Sequence, residues 1–271
     1  MIVAIFGDVH GNLAGMYELC ADWQRLQKQN MDLVLQTGDM GLWRSFDEMD
    51  KATKKHFAKD VGWGLPHHHF VGGLMPALPA APYLSGEQIA PIETWFVHGN
   101  HENFAVLADK EGQAVDAAGR IIFLAPGSIR EFRKEKESLR VAALGGMEYR
   151  FGKFPIPSEQ RIAKYLHPPS LDRLRQEKAQ IDILLLHDAP LNKGLRDKFP
   201  TGSKRLTELI LDIQPRFVFY GHYDDPPEPF QIGSTLCAGM NLASARRIAN
   251  RDGAMGILRT DTWEFSFVEP V

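Results

Sequence analysis

Short, uninterrupted apolar runs recur along the chain, and a polar or glycine-containing segment follows each one. The runs lie at residues 2–6, 33–35, 94–97, 183–186 and 217–220. Runs of this length without alternation are typical of strands that are covered on both faces. The pattern therefore predicts parallel strands inside a sheet, with the polar segments at the ends of the strands.

Other segments predict the elements between these strands. Residues 13–29 carry apolar side chains at helical spacing, which gives a strand-helix-strand start. Helices are also predicted at 44–60, 103–118, 171–178 and 205–212, further strands at 121–124, 141–144, 234–237, 255–258 and 263–268, and a hairpin tip at 131–138. These elements predict an α/β fold in which a two-sheet β-sandwich is flanked by helices in four layers, α/β/β/α. We expect one domain over residues 1–271, with an irregular, proline- and glycine-rich insertion or lid at about 61–91.

Composition excludes some classes of protein. The hydrophobic share of 44% and charged share of 24% are ordinary for a globular chain, and a net charge of -3 argues against a general nucleic-acid coat. Cys20 and Cys237 are expected to be small buried hydrophobes, so no disulfide framework is indicated. The apolar run at the start is too short for a secretory signal or a membrane span. We expect a cytoplasmic protein without membrane association, and no obligate protein partner is evident.

The polar segments carry the candidate metal ligands. Because parallel strands gather their functional groups at their carboxyl ends, side chains far apart in sequence can meet there. The candidates are Asp8, His10, Asp39, Asn100, His187, His222 and Asp224. Mixed oxygen and nitrogen ligation suits divalent Mn, Fe, Zn or Mg, and the absence of thiolates argues against a structural zinc site.

Two adjacent metal ions bound by these ligands would allow the site to hydrolyse a phosphoester. Gly7 and Gly11 would permit the bend that brings Asp8 and His10 to one ion, and Asp39 has two oxygens with which to bridge two ions. Two ions about 3.5–4 Å apart clamp a phosphoryl group, and a bridging water loses its proton readily, so that hydroxide attacks phosphorus directly.

The residues after Asn100 offer a proton donor. His101 is the candidate general acid for the leaving oxygen, and Glu102 could orient it. Arg150, Lys193 and Arg196 are candidate substrate-binding residues, because they lie on segments near the predicted site.

The motifs resemble those of the calcineurin-like metallophosphoesterase superfamily: Asp-x-His, Gly-Asp, Gly-Asn-His-Glu, a lone His and Gly-His-x-His. The match spans residues 7–224. The resemblance implies the sandwich fold, a dinuclear metal centre and phosphoester hydrolysis. It assigns Asp8, His10 and Asp39 to one ion. It assigns Asp39, Asn100, His187 and His222 to the other.

One motif departs from the family pattern, since Asp224 stands where the last histidine is usual. Its harder oxygen favours manganese or magnesium at the first ion. The layout is most similar to RNA lariat debranching enzymes and their relatives, although these usually carry Cys at the position of Asp8. The Asp-Arg-Gly triplet that usually follows Gly-Asp in protein Ser/Thr phosphatases is replaced here by residues 41–44.

The sequence therefore predicts a metal-dependent phosphoesterase, with a phosphodiester favoured as substrate. The phosphoester substrate, whether diester or monoester, could be a nucleotide, an RNA or a phosphoprotein. Two alternatives stay open: a Ser/Thr-type or small-molecule phosphatase, and a metal-poor binding scaffold. Two further features are expected to be structural: His98, and the exposed loop triplet at 67–69.

Overall fold

In the part of the chain that the structure describes, two six-stranded sheets form the centre. The computed structural model describes residues 1–49, 53–54, 80–149, 163–177, 180–194, 201–224, 226–243 and 253–269. The strands are β1 (Ile2–Phe6), β2 (Leu33–Gln36), β3 (Thr94–Phe96), β4 (Ile121–Phe123), β5 (Ile129–Lys134), β6 (Glu137–Leu144), β7 (Ile183–Leu186), β8 (Phe217–Tyr220), β9 (Phe230–Ile232), β10 (Thr235–Gly239), β11 (Met255–Arg259) and β12 (Glu264–Phe267). The helices are α1 (Leu13–Gln27), α2 (Ala81–Ser85), α3 (Phe104–Leu107), α4 (Pro168–Gln176) and α5 (Lys204–Ile213).

Both sheets place parallel strands at their centres. The first sheet has the order β12-β11-β1-β2-β3-β4, and β1 to β4 are mutually parallel. The second has the order β5-β6-β7-β8-β10-β9, with β6, β7, β8 and β10 parallel. Antiparallel pairs lie at the β12 edge of the first sheet and at both edges of the second, including the hairpin of β5 and β6, whereas the edge strand β4 is parallel to β3. The carboxyl ends of β1, β2, β3, β7 and β8 are the strand ends predicted to carry the ligands.

Apolar side chains fill three layers of core. One cluster lies between the sheets and joins residues such as Ile5 of β1 to Leu185 of β7. A second packs α1 on the outer face of the first sheet, and a third packs α4 and α5 on the outer face of the second. The predicted α/β/β/α sandwich is thereby confirmed.

Helix α1 shows why the sequence forms these layers. Asn12 caps its start, since the side-chain oxygen accepts the Gly15 N–H at 3.1 Å. Leu13, Met16 and Cys20 recur at helical spacing and are fully buried against the first sheet. The connection from β1 to β2 is therefore a covering helix, as the pattern predicted.

The predicted helix at 103–118 is wrong in its length, because α3 ends at Leu107. The chain after it turns at Gly112 and pairs with β4 instead: the Val115 N–H donates to the Ile121 carbonyl at 2.8 Å. The backbone groups that would have continued the helix are therefore hydrogen-bonded to the edge strand β4.

Two predicted segments lie partly outside the described residues. The helix expected at 44–60 appears in the described part as a single 3-10 turn, Phe46–Glu48, and as helical residues 53–54. Of the insertion at 61–91, only 80–91 is described, and it contains the helix α2 where irregular chain was expected. In the ranges that the structure describes, no helix is long and apolar enough to cross a membrane.

The core between the sheets predicts a stability experiment. Leu185→Ala should lower the free energy of unfolding by about 2–5 kcal/mol, because Leu185 is fully buried and its loss leaves a cavity. Leu211→Ala is the matched control on α5, where the side chain is 51% exposed, and should change it by less than about 0.5 kcal/mol. Urea denaturation measures both, and equal effects would contradict the assigned core.

Candidate metal centre

Three predicted ligands from distant parts of the sequence meet at the carboxyl ends of the strands. Asp8 follows β1, Asp39 follows β2 and His187 follows β7, so both sheets contribute. One ligand atom from each lies within 4.8 Å of the others, and all three side chains are buried. This is the spacing at which one cation could contact every member of the group.

The hydrogen bonds of His187 fix which ring nitrogen faces the cluster. Its Nδ1 lies 3.0 Å from the Thr37 carbonyl oxygen, which can only accept, so Nδ1 carries the proton. Burial lowers the pKa of His187 to about 3, so the ring is neutral near pH 7 and Nε2 presents a lone pair. That Nε2 lies 3.0 Å from Asn100 Oδ1 and 3.6 Å from Asp39 Oδ1.

Electron-pair donors therefore converge on one point without an intervening hydrogen. A neutral imidazole nitrogen, an amide oxygen and a carboxylate oxygen repel one another when they are buried together. A divalent cation between them removes that repulsion, and this donor chemistry fits a first-row metal. The arrangement is the structural reason for placing a metal here.

Backbone amides hold the two carboxylates in place. The His101 N–H donates to Asp39 Oδ1 at 2.6 Å, and the His222 N–H donates to Asp8 Oδ1 at 3.0 Å. Asn100 and His222 are thus brought to the cluster by the same short turns that bind the carboxylates. The rings of His187 and His222 are 4.9 Å apart between centroids.

The electrostatics of the carboxylate pair also favour a cation. Burial, followed by the charge of Asp39, raises the pKa of Asp8 well above its usual range. Burial pushes the pKa of Asp39 upward as well, but the neighbouring histidines and the His101 N–H outweigh it, so that pKa is lowered. Asp8 is therefore the carboxyl of the pair that favours its neutral form when no cation is bound.

Unusual backbone conformations occur at the predicted ligands themselves. His10, Asp39 and His222 have φ values of 46°, 54° and 67°, in the left-handed region that non-glycine residues rarely adopt. Such conformations persist where the surrounding structure enforces them, commonly at functional sites. The predicted bend after β1 is made by His10 and Gly11, whereas Gly7 serves another purpose: a side chain there would overlap the Asn241 carbonyl.

Glycines next to the ligands allow the loops to approach closely. A methyl group on Gly99 would overlap the Asp39 carboxylate, and one on Gly221 would overlap that of Asp8. The Gly-Asn and Gly-His motifs therefore use glycine for contact with the carboxylates as well as for turning.

Glu102 fastens two of the loops to each other. Its carboxylate accepts the N–H groups of Met40, Gly41 and Gly99 at 2.8, 3.0 and 3.3 Å. Burial, followed by the charge of Asp39, raises its pKa to about 8 despite these hydrogen bonds. Glu102 was predicted to orient His101, and it is bonded here to the backbone of the loops after β2 and β3.

His101 lies at the rim of the cluster, beside His10. The two rings meet edge to face with centroids 5.8 Å apart. Thr53 Oγ1 lies 3.1 Å from His101 Nδ1. Thr53 belongs to a segment in which the sequence offered no motif, so this partner was not predicted.

The remaining predicted site residues are less closely placed. Asp224 is exposed. The pKa of Asp8 is raised mainly by burial and by the charge of Asp39, and the charge of Asp224 adds a smaller increase. Lys193 holds its ammonium 4.5 Å from the centre of the Phe230 ring, on β9. Arg150, Arg196 and the triplet at 67–69 lie outside the described residues.

A second hydrogen-bond network supports the loops after β6, β7 and β8. Asp188 accepts the Glu148 N–H and the Tyr223 hydroxyl at 2.8 and 2.9 Å, and Tyr223 in turn accepts the Gly202 N–H at 2.9 Å. Sequence reasoning missed this network. The signal was available, because Asp188 directly follows His187 and Tyr223 directly follows His222.

Comparison with known proteins supplies the family. The calcineurin-like phosphoesterase family matches residues 1–224. The chain belongs to this family. The predicted resemblance is confirmed, and the matched span includes every predicted ligand.

The curated relatives to which the chain is similar include lariat debranching enzymes. The chain is 26% identical over 249 residues to the lariat debranching enzyme of Arabidopsis thaliana, covering 82% of this chain and 54% of that protein. It is 28% identical over 248 residues to lariat debranching enzyme A of Xenopus laevis, covering 82% and 42%. The chain thus spans about half the length of the curated relatives it matches.

Solved structures agree on the fold. A Thermus thermophilus protein superposes with a TM-score of 0.58 at 14% identity, over 99% of this chain and 98% of that one. GAP50, described as the anchor in the inner membrane complex of Plasmodium, superposes with a TM-score of 0.52 at 13% identity, over 100% and 89%. At these identities the likeness concerns the sandwich alone.

The raised pKa of Asp8 predicts a pH dependence of metal binding. The ion-free chain keeps Asp8 protonated to a higher pH than a free carboxyl, whereas a cation requires the ionised form, so binding releases a proton. Below that pKa, the Mn²⁺ affinity should rise about tenfold per pH unit. Titration calorimetry in buffers of different ionisation enthalpy measures both quantities. Asp172→Asn, on an exposed side chain of α4, should behave as wild type, and a flat affinity in the wild-type chain would contradict the prediction.

The hydrogen-bond network around Asp188 predicts that the Tyr223 hydroxyl contributes to metal affinity as well as to stability. Tyr223→Phe should weaken Mn²⁺ binding about 10–100-fold, because the loops that carry His187 and His222 lose a shared hydrogen bond. Tyr17→Phe is the matched control, since it removes a buried hydroxyl bonded to Thr94 at 2.9 Å in another layer. Both should lose about 1–3 kcal/mol of stability, but only Tyr223→Phe should change metal affinity. Unchanged affinity in Tyr223→Phe would refute a positioning role.

Proposed function

We propose that the chain is a metal-dependent phosphoesterase that acts on phosphodiesters, formed as a single domain with an insertion at about 61–91. The observation that carries the proposal is the convergence of Asp8, Asp39 and His187 within 4.8 Å, in a member of the calcineurin-like phosphoesterase family. The names of the curated relatives, lariat debranching enzymes, favour a diester over a monoester.

Two divalent cations are assigned to the site, with manganese favoured because Asp224 offers a harder oxygen where the family usually has a histidine. Asp8, His10 and Asp39, joined by Asp224, would hold one ion. The other would be held by Asp39, Asn100, His187 and His222. The cations would supply Lewis acidity, which activates water and neutralises phosphoryl charge.

The chain's own residues supply the remaining chemistry. His101 is assigned to protonate the leaving oxygen: with Nδ1 engaged by Thr53, Nε2 is the nitrogen that delivers the proton. Glu102 keeps His101 in place indirectly, because it binds Gly99 of the same turn. Arg150, Lys193 and Arg196 are assigned to the substrate's other phosphates. A cytoplasmic location suits the two free, buried cysteines.

Hydrolysis of model esters tests the proposal. The chain is stripped of metal, reloaded with Mn²⁺ and assayed with bis(p-nitrophenyl) phosphate and p-nitrophenyl phosphate, while elemental analysis counts the bound ions. We expect close to two ions per chain and a higher kcat/KM for the diester. Asp39→Asn should lower kcat about 10²–10³-fold, because it removes the shared carboxylate charge, a loss comparable to that of one strong electrostatic contact in other enzymes.

Controls separate the alternatives. Asp109→Asn, on an exposed side chain, should keep wild-type turnover, and circular dichroism should show both variants folded. Preference for the monoester would identify a phosphatase. A folded chain that binds no metal would identify a scaffold, and wild-type turnover in Asp39→Asn would overturn the assignment of that residue.

A further inference from the structure

The hydroxyl group of Thr37 is buried beside the metal centre without a hydrogen-bond partner. Thr37 directly follows β2 and is fully buried, and its Oγ1 bonds to no atom of the described residues. A buried hydroxyl without a hydrogen bond is costly, and a valine would fill the same space without that cost. The presence of a hydroxyl at this position therefore requires an explanation other than packing.

The backbone of Thr37 is hydrogen-bonded on both sides. Its N–H donates to the Phe6 carbonyl at 3.0 Å, which ties it to the end of β1. Its carbonyl accepts the Nδ1 proton of His187 at 3.0 Å. These two hydrogen bonds hold the backbone still, so the hydroxyl can move only by rotation about the Cα–Cβ bond.

The hydroxyl lies close to the carboxylate of Asp8, next to the backbone of Gly221. A methyl carbon on Gly221 would lie 2.6 Å from Thr37 Oγ1 and even closer to Asp8 Oδ1, so the two oxygens are less than twice 2.6 Å apart. Asp8 Oδ1 accepts the His222 N–H at 3.0 Å, and its second lone pair can accept another hydrogen bond. A donor without an acceptor thus lies near an acceptor with spare capacity, and rotation of one side chain is needed to join them.

We propose that Thr37 is a positioning residue for Asp8, and that its hydroxyl donates a hydrogen bond to the Asp8 carboxylate when a cation is bound there. The proposal rests on the proposed function, because it takes Asp8 as a metal ligand. A carboxylate that ligates a metal is ionised, and a hydrogen bond to an ionised acceptor is about twice as strong as a neutral one. Such a bond orients the ligand towards the ion, as outer contacts of metal ligands commonly do.

The proposal separates two properties that a purely structural hydroxyl would change together. In the metal-free chain, removal of the Thr37 hydroxyl relieves its burial and breaks no hydrogen bond of the described structure. In the metal-bound chain, the same removal deprives Asp8 of a hydrogen bond. Stability without metal and affinity for metal should therefore respond differently to the loss of this hydroxyl.

Substitutions of Thr37 in the whole chain test the proposal. Thr37→Val keeps the shape of the side chain and removes the hydroxyl, whereas Thr37→Ser keeps the hydroxyl. Thr235→Val is the matched control, because Thr235 is also fully buried but its hydroxyl donates to the Pro215 carbonyl at 2.6 Å. Thr235 begins β10, away from the carboxyl ends of the strands that carry the ligands. Titration calorimetry measures the Mn²⁺ affinity, and circular dichroism measures the melting temperature of the metal-free chain.

The expected result is a split between affinity and stability. Thr37→Val should weaken Mn²⁺ binding about tenfold or more, while the melting temperature of its metal-free chain should not fall by more than about 2 °C. Thr37→Ser should bind Mn²⁺ within about threefold of wild type. Thr235→Val should lower the melting temperature by roughly 2–4 °C or more and leave the Mn²⁺ affinity unchanged.

The outcomes distinguish this proposal from the proposed function. The split supports the positioning role even if neither p-nitrophenyl ester is hydrolysed. Wild-type Mn²⁺ affinity in Thr37→Val, or equally weak binding by Thr37→Ser, would overturn the role and leave the proposed function standing. A melting temperature of Thr37→Val that falls as far as that of Thr235→Val would also overturn it, since the hydroxyl would then be structural. A wild-type chain that binds no Mn²⁺ would refute the role and the proposed metal centre together.

Discussion

The structure depends on the enforced proximity of groups that repel one another. Asp8, Asp39 and His187 are buried together, and the neutral Nε2 of His187 faces oxygens of Asn100 and Asp39 at 3.0 and 3.6 Å. A folded chain keeps such an arrangement only if the rest of the molecule opposes the repulsion. The parallel strands bring these residues to one edge of the sandwich, and the backbone N–H groups of His101 and His222 hold the carboxylates of Asp39 and Asp8 there.

Several loops share the free-energy cost of holding these groups together. Left-handed backbone at Asp39 and His222 costs roughly 1–3 kcal/mol per residue, and buried hydrogen bonds compensate it nearby. Glu102 secures the loops after β2 and β3, while Asp188 secures those after β6, β7 and β8. The donors are therefore fixed before any cation arrives, which favours selective binding over adaptation.

Much of the fold was predictable, because the signal was strong and local. Uninterrupted apolar runs identified the buried strands, and the polar residues after them gave Asp8, Asp39 and His187 as neighbours. The sequence predicts less where a helix and a strand pairing compete for the same backbone groups. Helical spacing suggested a helix over 103–118, but residues 112–115 form backbone hydrogen bonds with the edge strand β4 instead. Side-chain hydrogen bonds such as Thr53 to His101 depend on tertiary placement, so no pattern in the sequence announces them.

The ligand set is divided between the two sheets, and this division has a mechanical consequence. Asp8 and Asp39 leave the first sheet, whereas His187 and His222 leave the second. A cation held by both pairs of ligands would join the two sheets, so that metal-ligand bonds as well as apolar packing would resist sliding of one sheet over the other. Metal binding would then stabilise the native packing of the two sheets, and that packing would in turn favour metal binding.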